Sequence, residues 1–377
     1  MKFEFGKRES LLIKGIAIIL MFYHHFFGFP TWLASDCNFI QTNIGGYHIE
    51  NIIASFCKIC VGLYVFVSGY SLFVNYPSYS TVKSLTKRIL SFLLNYWFVF
   101  AIFILFGLTF NEPLPSLSRF LQQCFGVSTA TGFNWAFFDT IHPVFAWYVS
   151  FYILFLLISP LLAKLCKFDF IINVLIVSIA LFGGSYIINI LLPANVHPSV
   201  RTIITSFATW GQIGMIGFLF AKHDIFNVMH KILSEYFNKL VLFFLMVFML
   251  GGIFLLWSWV GLQFYTVRSY MTVSFISIYT PIFIYAIINI LNIINSKALD
   301  TVLISLSKES TNMWFLHGLF FTPNKTIQWL AYLPQYPVLI LVWTLLLMYG
   351  VSFVLNKVIA YIHSLQKKIF APNDNHS

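Results

Sequence analysis

Ten stretches of this chain are apolar for about the thickness of a bilayer, and no stretch between them is long enough to build a core of its own. They run over about 11–29, 53–74, 88–110, 144–163, 170–192, 203–221, 240–260, 271–294, 310–322 and 337–362. In hydrocarbon, backbone groups of such segments are satisfied only within helices. The ninth stretch is short, so its helix is either tilted or longer at its cytoplasmic end. With 59% hydrophobic and only 9% charged residues, the composition suits a multi-span membrane protein rather than a soluble domain. The expected fold is all-α: a polytopic membrane helix bundle of about ten transmembrane helices. It occupies 1–370 as one transmembrane domain, followed by a polar tail at 371–377. The first segment has a polar far end and no small-residue cleavage site, so it is expected to stay rather than leave as a signal peptide.

The net charge of +10 resembles a nucleic-acid signal until the 22 basic residues are placed. With the N-terminus inside, Arg119, Arg201, Arg268 and Lys325 fall in outer loops, and Lys14 and Lys58 fall in segments. The other sixteen are cytoplasmic, which puts both termini in the cytoplasm by the positive-inside rule. The charge reports topology, and no nucleic-acid partner is implied.

Cys57 and Cys60 form a CxxC inside the second segment, with no second pair among the five cysteines. A zinc or redox role lacks partners, and buried packing cysteines are the simpler expectation. All twelve acidic residues fall outside the segments as drawn, Glu309, Asp139, Asp169 and Glu50 lying closest. A proton pump built on intramembrane carboxylates is disfavoured, and no metal is expected. A general base within the bundle must then be His25, His24 or His317, since imidazole titrates near neutrality.

Lys14 and His25 share one otherwise apolar segment. Eleven residues is roughly three helical turns, so the two lie on one face about 16 Å apart, while His24 is turned away by about 80°. Lys14 either snorkels to the cytoplasmic surface or serves a site, and His25 either satisfies a loop carbonyl or does chemistry. At the start of the third segment, Lys83, Lys87 and Arg88 form a cytoplasmic cluster. It suits anionic lipid, or the phosphates of a nucleotide-like donor. No Walker or dinucleotide fingerprint is present.

Six ordered elements of the chain resemble the acyltransferase-3 family of integral membrane acyltransferases. The family's Arg, ten residues, His pattern is met by Lys14 and His25. Gly62-LYVFV-Ser68-Gly69-Tyr70 is similar to its apolar run ending in Ser-Gly-aromatic. Lys87-Arg88-ILSFLLN-Tyr96-Trp97 resembles its basic motif and aromatic pair. Trp147-Tyr148-VSF-Tyr152 looks like its fourth segment and Gly211-QIGMI-Gly217 like its sixth. Ser310-TNMWFL-His317 resembles its late Ser, six residues, His signature. There are two departures. The family's first arginine is Lys14 here, which keeps charge but loses bidentate geometry. The second arginine of the basic motif is replaced by Ser91, three residues after Arg88.

The resemblance implies acyl transfer, usually of acetyl, from acyl-CoA to an extracytoplasmic carbohydrate. Its catalytic residues would be His25, Lys14 and His317. Arg88, Lys87 and Ser68 would hold acetyl-CoA, the acyl donor and cosubstrate. Trp147, His142 and Tyr148 would meet the sugar, or else form part of an interfacial aromatic belt. The expected partners are acyl-CoA, a carbohydrate acceptor and membrane lipid. The expected place is the cell membrane, as a multi-pass protein such as those of a bacterial cytoplasmic membrane. A transporter or flippase of a glycolipid or small metabolite is the rival; the missing intramembrane acids and the Lys14–His25 spacing favour the enzyme. The orientation has a direct test. A cysteine placed near Lys231 should label only after the inner face is exposed, and one near Thr131 should label in intact cells. The reverse pattern overturns the assignment of sides.

Overall fold

The computed structural model describes residues 3–29, 33, 37–76, 81–113, 115–126, 147–193, 198–263, 268–321 and 324–369. Among the described residues, nine helical spans are long and apolar enough to cross a membrane. They are α1 (Lys7–Gly28), the pair α2 (Ile49–Cys57) and α3 (Ile59–Val74), α4 (Val82–Thr109) and α6 (Trp147–Leu165). Next comes the pair α7 (Phe170–Ser178) and α8 (Gly184–Leu191), joined by a π turn over Ile179–Gly183. The last four are α9 (Pro198–Lys222), α11 (Lys239–Gln263), α12 (Arg268–Ile294) and α15 (Pro337–Ile369). Short helices α5 (Leu117–Cys124), α10 (Ile225–Tyr236) and α14 (Lys325–Tyr332) connect them. A two-stranded ribbon pairs β1 (Asn43–Ile44) with β2 (Tyr47–His48) around Gly45 and Gly46. Both glycines have positive φ, as a two-residue hairpin turn demands.

The ninth expected stretch, 310–322, is not among these nine spans. Its helix is α13 (Lys297–Leu316), with a 3-10 turn over His317–Phe321. It starts well before residue 310, which resolves the short ninth stretch in favour of a longer helix. Lys297, Asp300, Lys308 and Glu309 lie on it, and they mask its apolar face in the sequence. The expectation that no acid enters the helices therefore fails, and two of the acids on helices, Glu50 and Glu309, are buried. Glu50 is buried in the first turn of α2, where both its oxygens accept from the Thr42 amide at 3.0–3.1 Å. Glu309 is buried mid-helix against α15. Ser352 Oγ donates to its Oε2 at 2.8 Å and Asn356 Nδ2 at 2.5 Å. Such donors are what makes a buried carboxylate tolerable.

The spans sort into two layers. For α1, α2–α3, α9 and α12, 61–67% of the apolar window is inside the bundle, whereas for α4, α7–α8, α11 and α15 it is 22–28%. Without a hydrophobic drive between helices in lipid, inner helices associate by close packing of small residues. A Cβ at Gly69 of α3 would stand 1.6 Å from the Gly214 carbonyl of α9, and one at Gly217 2.2 Å from the Phe66 carbonyl. The Ser-Gly-aromatic run and the glycines of the sixth segment are thus the two sides of one backbone crossing. In the same way, a Cβ at Gly15 of α1 would lie 2.2 Å from the Leu303 carbonyl of α13.

Parallel α1 and α13 keep one register along their whole length. Arg8 bonds Asp300 at one end, at 3.0 Å from Nε and 2.5 Å from Nη2, and His25 meets His317 at the other end, at 3.0 Å. Both pairs are 292 residues apart.

Two outcomes test this packing. Gly69→Ala should cost roughly 1–3 kcal/mol or more by overpacking. Gly252→Ala, where nothing lies within 4 Å of the new methyl, should be neutral or slightly stabilising. Thermal unfolding in detergent measures both. Glu309→Gln should leave stability unchanged, because an amide oxygen can accept from both Ser352 and Asn356. Glu309→Leu should lose about 1–3 kcal/mol by stranding those donors.

Candidate active site

Two features converge where α1, α3, α4, α6 and α13 meet. One is a cavity of about 150 Å³; the other is a cluster of buried histidines at one end of the bundle.

α1 starts cleanly because the Glu9 carboxylate reaches back to accept from the Gly6 amide at 3.0 Å, one half of a capping box. Two turns on, Lys14 enters the cavity wall. Ser68 and Tyr64, one turn apart on α3, form a second wall, and Phe92 comes from α4. Tyr148 and Tyr152 are one turn apart on α6, and Ser307, Ser310 and Trp314 come from α13. Residues from four separate sequence motifs (Lys14, Ser68, Tyr148 and Ser310) therefore line one space. Tyr64 ties two walls together: its hydroxyl donates to the Lys14 carbonyl at 3.3 Å.

The electrostatics of this space are one-sided. Arg88, half-buried one turn before Phe92 on α4, is close enough for its charge to act on Lys14. Among the described residues, the salt bridges are those of Arg8 with Glu9 and with Asp300, so Lys14 has no carboxylate partner. No Asp or Glu lines the cavity. A lysine facing a low-dielectric space without an anion is costly, and a bound anion would relieve that cost. Ser307 Oγ and Trp314 Nε1, both buried, have no protein partner among the described residues. They are polar atoms available to a ligand.

Beyond Trp314 lie the histidines. His25 is 8% exposed and His317 fully buried. His25 Nδ1 and His317 Nε2 are 3.0 Å apart, with ring centroids at 4.8 Å. His317 Nδ1 bonds the Trp314 carbonyl. A carbonyl only accepts, so His317 carries its proton on Nδ1. With both rings neutral, His317 Nε2 then accepts from His25 Nδ1–H, and His25 Nε2 holds the lone pair. The arrangement orients the His25 ring through a second ring rather than a carboxylate. His24 is adjacent, with its ring centroid 4.9 Å from that of His25, but its Nδ1 bonds the Ala54 carbonyl of α2 at 2.7 Å. Among the described residues, no group of three His, Cys, Asp or Glu could hold a metal ion.

Other expected site residues are dispersed. Lys87 is exposed and outside the cavity wall. Trp147 packs on Trp210 at 6.1 Å and does not line the cavity, although its neighbour Tyr148 does. Tyr148 thus stands with Lys14 and Ser68, not in an outer sugar-binding loop. His142 and the aromatics near 133–138 lie outside the described residues. Tyr96 and Trp97, read as part of a basic-aromatic motif, anchor α5: they donate to the Gln123 and Cys124 carbonyls, each at 2.8 Å. All five cysteines are free, and Cys57 and Cys60 are buried in packing.

Tyr64, Ser307 and Trp314 were not singled out in the sequence, yet a signal for each was there. Each stands three or four residues from a motif residue (Ser68, Ser310), the spacing that shares a helix face.

The protein-family model described as an acyltransferase domain matches residues 11–357, a span that includes every wall of the cavity and both histidines. No curated protein and no solved structure matches the chain. With nearly the whole helical bundle inside the match, the chain belongs to the acyltransferase-3 family and is a multi-pass membrane acyltransferase.

Proposed function

We propose that this enzyme moves an acetyl group from cytoplasmic acetyl-CoA to a hydroxyl of an extracytoplasmic surface polysaccharide or its lipid-linked precursor. The observation that carries the reading is a lysine in the cavity wall, Lys14, and a buried histidine pair along one axis. Lys14 and His25 are about 16 Å apart on one face of α1. A donor held by its phosphates near Lys14, Arg88 and Lys87 must span that distance with a long, narrow arm. The cavity, at about 150 Å³, admits such an arm and not a whole nucleotide. Ser68, Ser307 and Trp314 offer hydrogen bonds along the way. Basic residues concentrated on one side of the membrane support donor entry from the cytoplasm.

The chemistry balances with His25 Nε2 as base. It takes the proton of a sugar hydroxyl as that oxygen attacks the thioester carbonyl. The carbon–sulfur bond breaks, and the proton returns to the departing thiolate. Transfer through an acyl-imidazole is the two-step variant, in which the same nitrogen attacks first. In either route His317 orients His25 and helps carry the charge that forms on it.

Buried Glu309 removes one ground on which a transporter was disfavoured. The acyltransferase family leaves the enzyme reading in place, because Glu309 is committed to Ser352 and Asn356 on the α15 side.

His25→Ala should abolish glycan acetylation, a loss on the order of 10²-fold or more, while the protein stays folded. His24→Ala should keep measurable activity, because its ring is engaged with α2. Purified protein in detergent with radiolabelled acetyl-CoA and surface glycan, at matched protein levels, gives the answer. Wild-type acetylation by His25→Ala would sink the mechanism.

A further inference from the structure

A second cavity, of about 230 Å³, lies beside α14 and is lined by Cys37, Asn38, Trp329, Tyr332, Leu333 and Gln335. It is at the histidine end of the bundle. Tyr332, one of its walls, donates its hydroxyl to the carbonyl of Phe26, the residue that follows His25, at 2.7 Å. The walls are held firmly. Ile40 N donates to the Gln335 carbonyl at 2.9 Å and Cys37 Sγ reaches the Lys325 carbonyl at 4.0 Å, so the 37–40 segment is clasped to both ends of α14. Gln335 is one of few non-glycine residues with positive φ, at 61°, a conformation that proteins tend to keep where a side chain must be aimed.

We propose that this cavity is a subsite for a neutral sugar ring of the acceptor chain, next to the sugar that is acetylated. This rests on the acetyl-transfer reading above. Trp329 is 55% exposed and offers a flat apolar face, while Asn38 and Gln335 offer amide donors and acceptors to hydroxyls. No cation lines the space, so it does not suit the phosphates of the donor. Two exposed amides set between aromatic walls do not suit an acyl chain either. An aromatic belt residue would need only lipid headgroups, without a walled cavity behind it.

The subsite should be felt by acceptors long enough to reach it and by no others. The probes are de-O-acetylated oligosaccharides from the source strain's surface polysaccharide and the methyl glycosides of its constituent single sugars. For the oligosaccharides, Trp329→Ala should raise KM by roughly tenfold with kcat kept, the scale of one lost stacking contact. Trp329→Tyr should restore it, and Gln335→Asn should weaken it. For the single-sugar glycosides, Trp329→Ala should change nothing. Calorimetric binding of the oligosaccharide without acetyl-CoA should weaken in parallel. An unchanged oligosaccharide KM in Trp329→Ala overturns the subsite, as does an equal loss with both acceptor classes. Failure of the wild type to acetylate any glycan overturns the reading it rests on instead.

Discussion

The register between α1 and α13 is the contact on which the other features depend. Gly15 lets the two backbones approach so closely that any side chain there would strike the Leu303 carbonyl. Because the helices run parallel at that distance, Arg8 meets Asp300 at one end and His25 meets His317 at the other. A slip of one residue would rotate each helix by about 100° and separate both pairs. The ion pair thus acts as a register mark for the histidines, some 17 residues further along each helix. Its strength is secondary, since Arg8 is partly exposed and such pairs contribute little alone.

The second constraint is the price of polar groups inside a bilayer. Most of those in this chain are satisfied locally: serines and threonines bond the carbonyl a turn earlier, and Glu309 and Glu50 receive donors. Among the described residues, Lys14 at the cavity wall has no carboxylate partner, and Ser307 Oγ and Trp314 Nε1, from two residues that line the same cavity, have no hydrogen-bond partner. Asn51 Oδ1, Asn189 Oδ1, Thr280 Oγ1 and Asn312 Oδ1 are buried in the same way elsewhere in the bundle, but Ser307 Oγ and Trp314 Nε1 are the ones beside Lys14, where a ligand can meet them. The inner helices owe their closeness to Gly15, Gly69, Gly214 and Gly217, so packing and site share the same parts.

Much of this was legible in the sequence, for physical reasons that can be named. Hydrocarbon imposes a length and an apolar composition on any crossing helix; ten stretches stood out from the residues, and among the described residues nine helical spans have that length and composition. Helical periodicity alone put Lys14 and His25 on one face. The ordered motifs pointed to the acyltransferase-3 family, to which the chain belongs. What a one-dimensional pattern hid was α13. Its charged residues are neutralised by neighbours far along the chain, Asp300 by Arg8 and Glu309 by Ser352 and Asn356. Hydropathy cannot see a partner 292 residues away.

Tertiary structure alone decided which motif residues share a space. Ser68, Tyr148 and Ser310 are separated by long runs of helix and carry no mark of adjacency; packing of α3, α6 and α13 brings them to Lys14. The same packing sent Trp147 to Trp210, and Tyr96 and Trp97 to the carbonyls of α5, although sequence grouped them with the site. The tautomer of His25 was likewise beyond reach of the sequence. It depends on the Trp314 carbonyl, freed where α13 tightens into a 3-10 turn, acting through His317. The sequence determined the membrane bundle, its helix faces and its family, because those follow from local spacing and solvent. Which faces meet, and in what register, is set by contacts between distant segments, and only the folded chain contains them.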